Sequence, residues 1–187
     1  MGECWGEGTA TFMILGNTCT RSCGFCGVKT GRPETVDWDE PEKVARSIKI
    51  MNIKHAVVTS VDRDDLKDGG SIIWIETVKA IRRMNPTTTL ETLIPDFQGI
   101  ERNIDRIVEA NPEVVSHNME TVRRLTREVR IQAKYDRSLE VLRYLKAKGI
   151  NRTKSGIMLG LGETEEEVIQ TLHDLRNANV DVVTIGQ

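Results

Sequence analysis

Three thiols within eight residues are the feature of this sequence best suited to chemistry: Cys19-Thr-Arg-Ser-Cys23-Gly-Phe-Cys26, a C-x3-C-x2-C loop. Soft thiolates at this spacing converge from one short loop without help from distant segments, which is what an iron-sulfur cube demands of its ligands. Three cysteines serving a four-iron cube leave one iron without a protein ligand. An open iron is able to chelate the amino and carboxylate groups of S-adenosylmethionine (SAM), and an electron from the reduced cluster then breaks the sulfonium carbon–sulfur bond to give a 5′-deoxyadenosyl radical. Two other readings stand beside this one. Cys23-Gly-Phe-Cys26 alone has the C-x-x-C form of a thiol-disulfide oxidoreductase, and a zinc-binding module needs only a fourth ligand, for which Cys4 and His55 are candidates.

The rest of the chain must position that loop. Its 187 residues suffice for one domain with a real core, since a chain of about 150 residues buries about two-thirds of its unfolded surface. With 26 basic against 28 acidic residues the net charge of −2 gives no footprint for nucleic acid. No apolar run approaches the ~20 residues that span a bilayer, and no secretory signal begins the sequence, so the expectation is a cytoplasmic protein with neither membrane nor nucleic acid as partner. Short β-rich runs recur at Thr11 to Leu15, His55 to Ser60, Thr89 to Ile94, Val114 to Asn118, Thr153 to Leu159 and Asp181 to Ile185. Each is nearly continuous in apolar or β-branched residues, as parallel strands covered on both faces are. Between them lie helical stripes: Val44/Ile48/Met51, Trp74/Val78/Ile81, Ile100/Ile104/Ile107 and Val168/Leu172/Leu175. Thr164 with Glu167 reads as a capping box, and Asp39 before Pro41 as a helix cap. This α/β alternation fits either an open doubly wound sheet or a curved partial barrel, and periodicity does not choose between them. In both, ligands gather where the strands end, and the polar and glycine residues of this chain follow the strand runs.

Gly156-Ile-Met-Leu-Gly160-Leu-Gly-Glu163 resembles the G-x-I-x-G-x-x-E segment that supports adenine in radical SAM enzymes. Further stretches resemble the lipoyl synthase family almost end to end: Cys4-Trp-Gly-Glu-Gly-Thr-Ala-Thr-Phe-Met, Cys19-Thr-Arg-Ser-Cys23, Thr59-Ser-Val-Asp-Arg-Asp-Asp-Leu66, Ile94-Pro-Asp-Phe-Gln-Gly99, His117-Asn-Met-Glu-Thr121, Lys154-Ser-Gly156 and Thr184-Ile-Gly-Gln187. The resemblance implies a partial (β/α)6 TIM-like barrel of the radical SAM type, and two 4Fe-4S clusters with SAM as cofactors. The implied activity is insertion of two sulfur atoms at C6 and C8 of a protein-bound octanoyl chain. It implies as partners an octanoylated lipoyl carrier domain or glycine cleavage H protein, and an electron donor such as a ferredoxin or flavodoxin. Carried onto this chain, it gives Cys19, Cys23 and Cys26 the SAM-binding cluster, and Ser60, Val61 and Asp62 the SAM amino group. Asn118 and Glu120 fall to the ribose, Arg130 and Lys154 to the SAM carboxylate or a partner's charge, and Gly156, Met158 and Gly160 to the adenine. Each assignment has a plainer counterpart: a polar turn at 60–62, solvated cations at Arg130 and Lys154, and a satisfied strand-end histidine at His117.

The family takes its sulfur from an auxiliary cluster bound by a C-x4-C-x5-C triplet and a serine near the C-terminus. Cys4 matches only the last cysteine of that triplet, and the serine segment has no counterpart before Gln187. Residues 1–187 are therefore expected to form a single but incomplete radical SAM core that lacks the last helix, able to hold the SAM cluster and not the sulfur-donating one. The basic run Arg123, Arg124, Arg127, Arg130 and Lys134 has two readings, a steering patch for an acidic carrier domain or a solvated helix face.

Overall fold

A computed structural model describes residues 8–186. Six strands form one parallel sheet: β1 (Thr9–Ile14), β4 (His55–Ser60), β5 (Thr89–Leu93), β6 (Val114–Ser116), β7 (Thr153–Met158) and β8 (Val182–Gly186). A two-residue ladder pairs β2 (Thr18–Cys19) with β3 (Lys29–Thr30). The order β1-β4-β5-β6-β7-β8 never reverses. A doubly wound sheet must reverse where its helices change sides; a sheet always extended in one direction keeps its helices on one face and curls away from them. The strand order thus selects the partial barrel over the open sheet.

The helices are α1 (Glu40–Ile50), α2 (Ser71–Met84), α3 (Glu101–Ala110), the short α4 (Thr126–Val129), α5 (Tyr135–Ala147) and α6 (Glu165–Asn177). One face of the sheet, carrying Ile14, Ala56, Val58, Leu90 and Val115, is fully buried beneath Ile48, Trp74, Ile81, Ile107 and Leu145 of the helices. Each of the isoleucine, leucine and valine side chains removed from water contributes about 1.5–3 kcal/mol. A smaller core joins Met119, Leu139, Leu142, Ile157 and Leu175 around the later strands. The opposite face mixes apolar Met13, Val57 and Leu93 with polar residues, among which Glu91 of β5 accepts from Ser116 Oγ at 2.8 Å and from Lys154 Nζ at 2.9 Å.

The expected strands all form, with ends shifted by one or two residues; β6 stops at Ser116, and Glu120 rejoins β7 by a bridge to Ile157. The expectation of four helices omits α5, whose stripe Tyr135, Leu139 and Leu142 has the same spacing as the others. The capping box at Thr164 and Glu167 is complete. Asp39 sits at the α1 cap position without a capping bond, because its backbone is already helical there and its side chain is not turned back over the first turn; Asp37 Oδ1 instead accepts from the Asp39 N–H.

Candidate functional site

The residues after β1, β4, β5 and β6 enclose a cavity of about 260 Å³. Cys19, Cys23 and Cys26 line it together with Ser60, Val61, Asp62, Asn118, Glu120 and Arg130, nine sequence-selected positions drawn from four separate segments. Cys19 lies in the β2–β3 ladder, which closes the base of the cysteine loop. Its Sγ accepts from the backbone N–H of Arg21 at 3.4 Å and of Asp62 at 3.3 Å, two donors that suit a thiolate. Further along, the Gly24 N–H donates to the Val129 carbonyl at 2.9 Å, hanging the second half of the loop from α4.

All three cysteines are free thiols. Burial pushes Cys19 and Cys23 above the ordinary thiol value; at Cys19 the two N–H donors oppose burial, and at Cys23 the nearby Arg130 does. Thiols of this kind release protons when they ligate metal. Among the described residues no three His, Cys, Asp or Glu side chains converge as ligands of a single metal ion. Ligands of a four-iron cube bind separate corners and need not converge on one point, so three soft donors spread along one cavity wall fit the cluster by chemistry and arrangement. Ser60 supplies a second sign: its hydroxyl is buried with no partner in the protein, an orphan that a ligand's polar group would satisfy.

Asp62 is pushed up to about 6, first by burial and then by Asp96 and Asp64, with Arg21 acting against them. Glu120 has a left-handed backbone (φ 63°) and a carboxyl raised by burial, with the Asn118 side chain opposing. Such a conformation in a non-glycine residue costs about 1–3 kcal/mol and persists where the surroundings impose it, here by Glu120 N–H to Gly156 O at 2.9 Å and Met158 N–H to Glu120 O at 2.8 Å. Arg130 is buried; its Nη1 donates to Met119 O at 2.9 Å and to Ser138 Oγ at 3.2 Å. Its charge is disfavoured by burial, with Glu120 the main opposing influence. Behind it, His117 is enclosed: Nδ1 lies 2.9 Å from the Ile94 carbonyl and Nε2 2.9 Å from Ser138 Oγ. A carbonyl only accepts, so the proton is assigned to Nδ1, and burial drives this histidine down to about 4. It is the satisfied strand-end histidine of the sequence reading.

Lys154, Gly156, Met158 and Gly160 do not line the cavity. Lys154 lies on β7 with its ammonium on both Glu91 oxygens, at 2.9 and 3.2 Å, so Glu91, 63 residues away, already supplies the carboxylate partner expected from SAM. Gly156 supports the site from behind, since a Cβ there would stand 2.9 Å from Asn118 Oδ1. The Gly160 N–H is taken by the Glu163 carboxylate. Cys4 lies outside the described residues. The basic run is not one surface: Arg123 pairs with Asp136 at 2.8 Å, Arg124 with Glu167 at 2.7 Å, and Arg130 is interior. What sequence reasoning missed is the charge network of Arg21, Asp64 and Asp96, whose signal was an arginine inside the cysteine loop and the dense run Asp62-Arg-Asp-Asp65.

The family model of the radical SAM superfamily matches residues 13–175. The chain belongs to the radical SAM superfamily. Among curated relatives, this superfamily member is 95% identical over all 187 residues to the lipoyl synthase of Flavobacterium johnsoniae, covering 65% of that protein. It is 88% identical over 187 residues to the mitochondrial lipoyl synthase of Nematostella vectensis, covering 64%. The chain therefore spans about two-thirds of the length of the curated relatives it matches, just under that fraction. Its fold is shared with the FeFe-hydrogenase maturase HydG from Carboxydothermus hydrogenoformans (TM-score 0.77, 17% identity, 95% of this chain and 44% of that one). It is shared also with methylornithine synthase (TM-score 0.72, 16% identity, 94% and 52%). Likeness at those identities speaks for the radical SAM fold alone. No described helix is long and apolar enough to cross a membrane.

Proposed function

We propose that this chain is the SAM-cleaving core of a lipoyl synthase, which inserts two sulfur atoms into an octanoyl chain carried on a lipoyl carrier domain or glycine cleavage H protein. The observation that carries the reading is the grouping of Cys19, Cys23 and Cys26 on one wall of a cavity whose other walls bring Asp62, Asn118, Glu120 and Arg130 within reach. The specific activity is supported by the 95% identity to a lipoyl synthase. Cys19, Cys23 and Cys26 would hold a 4Fe-4S cluster. When bound, the cluster with SAM supplies a carbon-centred radical, which an unactivated alkyl carbon requires because no side-chain base removes its proton.

The chain's own residues orient the sulfonium cosubstrate. Asp62 and the carbonyls beside it present acceptors to an ammonium, and the orphan Ser60 hydroxyl lies next to them. Asn118 and Glu120 offer acceptors for ribose hydroxyls. Arg130, fixed by Met119 and Ser138 through a single nitrogen, is the cavity's cation for a carboxylate. Gly156 keeps the space behind Asn118 open. Met158 at the end of β7 and Gly160 just beyond it are the supports proposed for adenine, and Lys154 belongs to the Glu91 pair. Cys4 would serve the auxiliary, sulfur-donating cluster, electrons would come from a ferredoxin or flavodoxin, and the working compartment would be the cytoplasm.

Reconstituted without oxygen and reduced with dithionite, the chain should release 5′-deoxyadenosine and methionine from SAM, and Cys23→Ala should abolish both. Disulfide reduction by iron-free protein, or zinc without sulfide in protein purified without oxygen, would overturn the reading in favour of an oxidoreductase or a zinc module.

A further inference from the structure

Arg21 stands midway between Cys19 and Cys23, yet its side chain is only 4% exposed and points away from solvent into the rim. Nε donates to Asp64 Oδ2 at 2.7 Å, and Nη2 to Asp64 Oδ1 at 2.9 Å and Asp96 Oδ1 at 2.7 Å. Asp62 Oδ1 lies 3.3 Å from Nε. One planar fork thus spans two carboxylates from different strand ends, Asp64 after β4 and Asp96 after β5, a geometry that an ammonium does not reproduce.

The carboxylates are themselves held. Asp96, fully buried, also accepts from Arg137 Nη1 of α5 at 3.3 Å and from the Gln98 N–H at 2.9 Å; Gln98 Nε2 returns to Asp64 Oδ1 at 3.0 Å. The turn that makes this possible holds Phe97 and Gln98 in left-handed backbone (φ 45° and 55°). One backbone bond and two bonds between backbone and threonine hydroxyls run beside the ion pairs: Thr20 N–H to Asp62 O at 3.1 Å, Asp64 N–H to Thr20 Oγ1 at 3.0 Å, and Thr30 Oγ1 to Arg21 O at 3.1 Å. None of these contacts uses a thiol, so the network is complete with no cluster bound.

We propose that Arg21 is a positioning residue that sets the course of the cysteine loop before iron arrives, by clasping the peptide between Cys19 and Cys23 to Asp64 and Asp96. This rests on the reading of the three cysteines as cluster ligands. Three thiols on an unrestrained loop would pay the ordering entropy when the cluster binds; the clasp removes that cost in advance.

The test is hydrogen exchange on iron-free protein. In Arg21→Gln the exchange of the amides of 19–31 should accelerate by at least about tenfold more than that of the α2 amides around Trp74, which report global opening. Should that variant not fold, Arg21→Lys, which keeps charge without the fork, should show the same localised effect at about threefold. Iron and sulfide taken up on anaerobic reconstitution should fall by about half or more, and the electron paramagnetic resonance change that SAM induces in the reduced cluster should weaken. Unchanged loop exchange, or acceleration spread evenly over the whole chain, overturns the proposal. Because the exchange is read without metal, it stands or falls separately from the cluster assignment, which wild-type iron and sulfide content decides.

Discussion

Two walls of the cavity are built on opposite plans. The wall behind Cys19 is ionic, with Arg21, Asp62, Asp64, Asp96 and Arg137 in a partly buried network. The wall behind Asn118 and Glu120 is a relay of hydrogen bonds among largely uncharged groups, in which Ser138 Oγ accepts from Arg130 and meets His117, whose other nitrogen meets Ile94. The difference teaches where charge is spent. On the cysteine side the arginine's charge is consumed in fixing backbone. On the far side one guanidinium nitrogen of Arg130 is anchored by neutral acceptors, and among the described residues no carboxylate forms an ion pair with it.

Breaking the ionic wall should cost most. Asp96→Ala leaves Arg21 and Arg137 without a shared carboxylate, and loss of one member of a buried ionic set destabilises by about 3–5 kcal/mol. The midpoint of urea unfolding checks this. Despite burial, which raises it, Arg21 holds the Asp96 carboxyl well below the usual range, so its stabilisation is present at neutral pH and lost only in strong acid.

The neutral wall should reveal itself by pH instead. His117, driven down to about 4 from an ordinary value near 6.5, is neutral when folded; its contribution is full above pH ~6.5 and is lost as the pH falls toward ~4. The loss amounts to about 3 kcal/mol over that window. Asp62, pushed up to about 6, acts in the opposite sense, gaining stability as the pH falls, so the difference between wild type and His117→Asn isolates the histidine. Equal acid sensitivity in the two proteins would show that the histidine is not held neutral.

A smaller effect, of about 1–3 kcal/mol, is expected from Gly156→Ala, because the added methyl would press on Asn118 Oδ1. Its sharper reading is SAM affinity, which should weaken about tenfold if Asn118 meets the ribose. The smallest change is Ser138→Ala at about 1 kcal/mol, which leaves Arg130 Nη1 with the Met119 carbonyl alone and removes the Ser138 partner of His117 Nε2, keeping both charge and ring. A rise in the KM for SAM with kcat nearly unchanged would show that the relay positions Arg130; no change in either would leave Ser138 a packing residue.

Much of this architecture is visible in the amino-acid sequence. The alternation of β-rich runs with 3.6-period stripes marked all six strands of the main sheet and four helices, because backbone periodicity is a local property. The cysteine spacing marked the candidate loop for the same reason, as three thiols within eight residues are near one another in any fold. The complete capping box at Thr164 and Glu167 needed only one turn of chain. The β2–β3 ladder escaped notice because two residues have no period, whereas α5 escaped although its stripe is plain.

By itself, then, the sequence marked the candidate ligands, the order of elements and the rim on which polar residues collect, all consequences of short-range spacing. Only the tertiary structure decided the direction in which the sheet grows, the burial of Arg21 among carboxylates 43 and 75 residues away, and the capture of Lys154 by Glu91 across 63. A charged side chain carries no local sign of its partner: the same arginine or lysine is solvated or buried according to which strand ends the fold brings beside it. Electrostatic pairing is settled in space, after the chain has already settled its helices and strands.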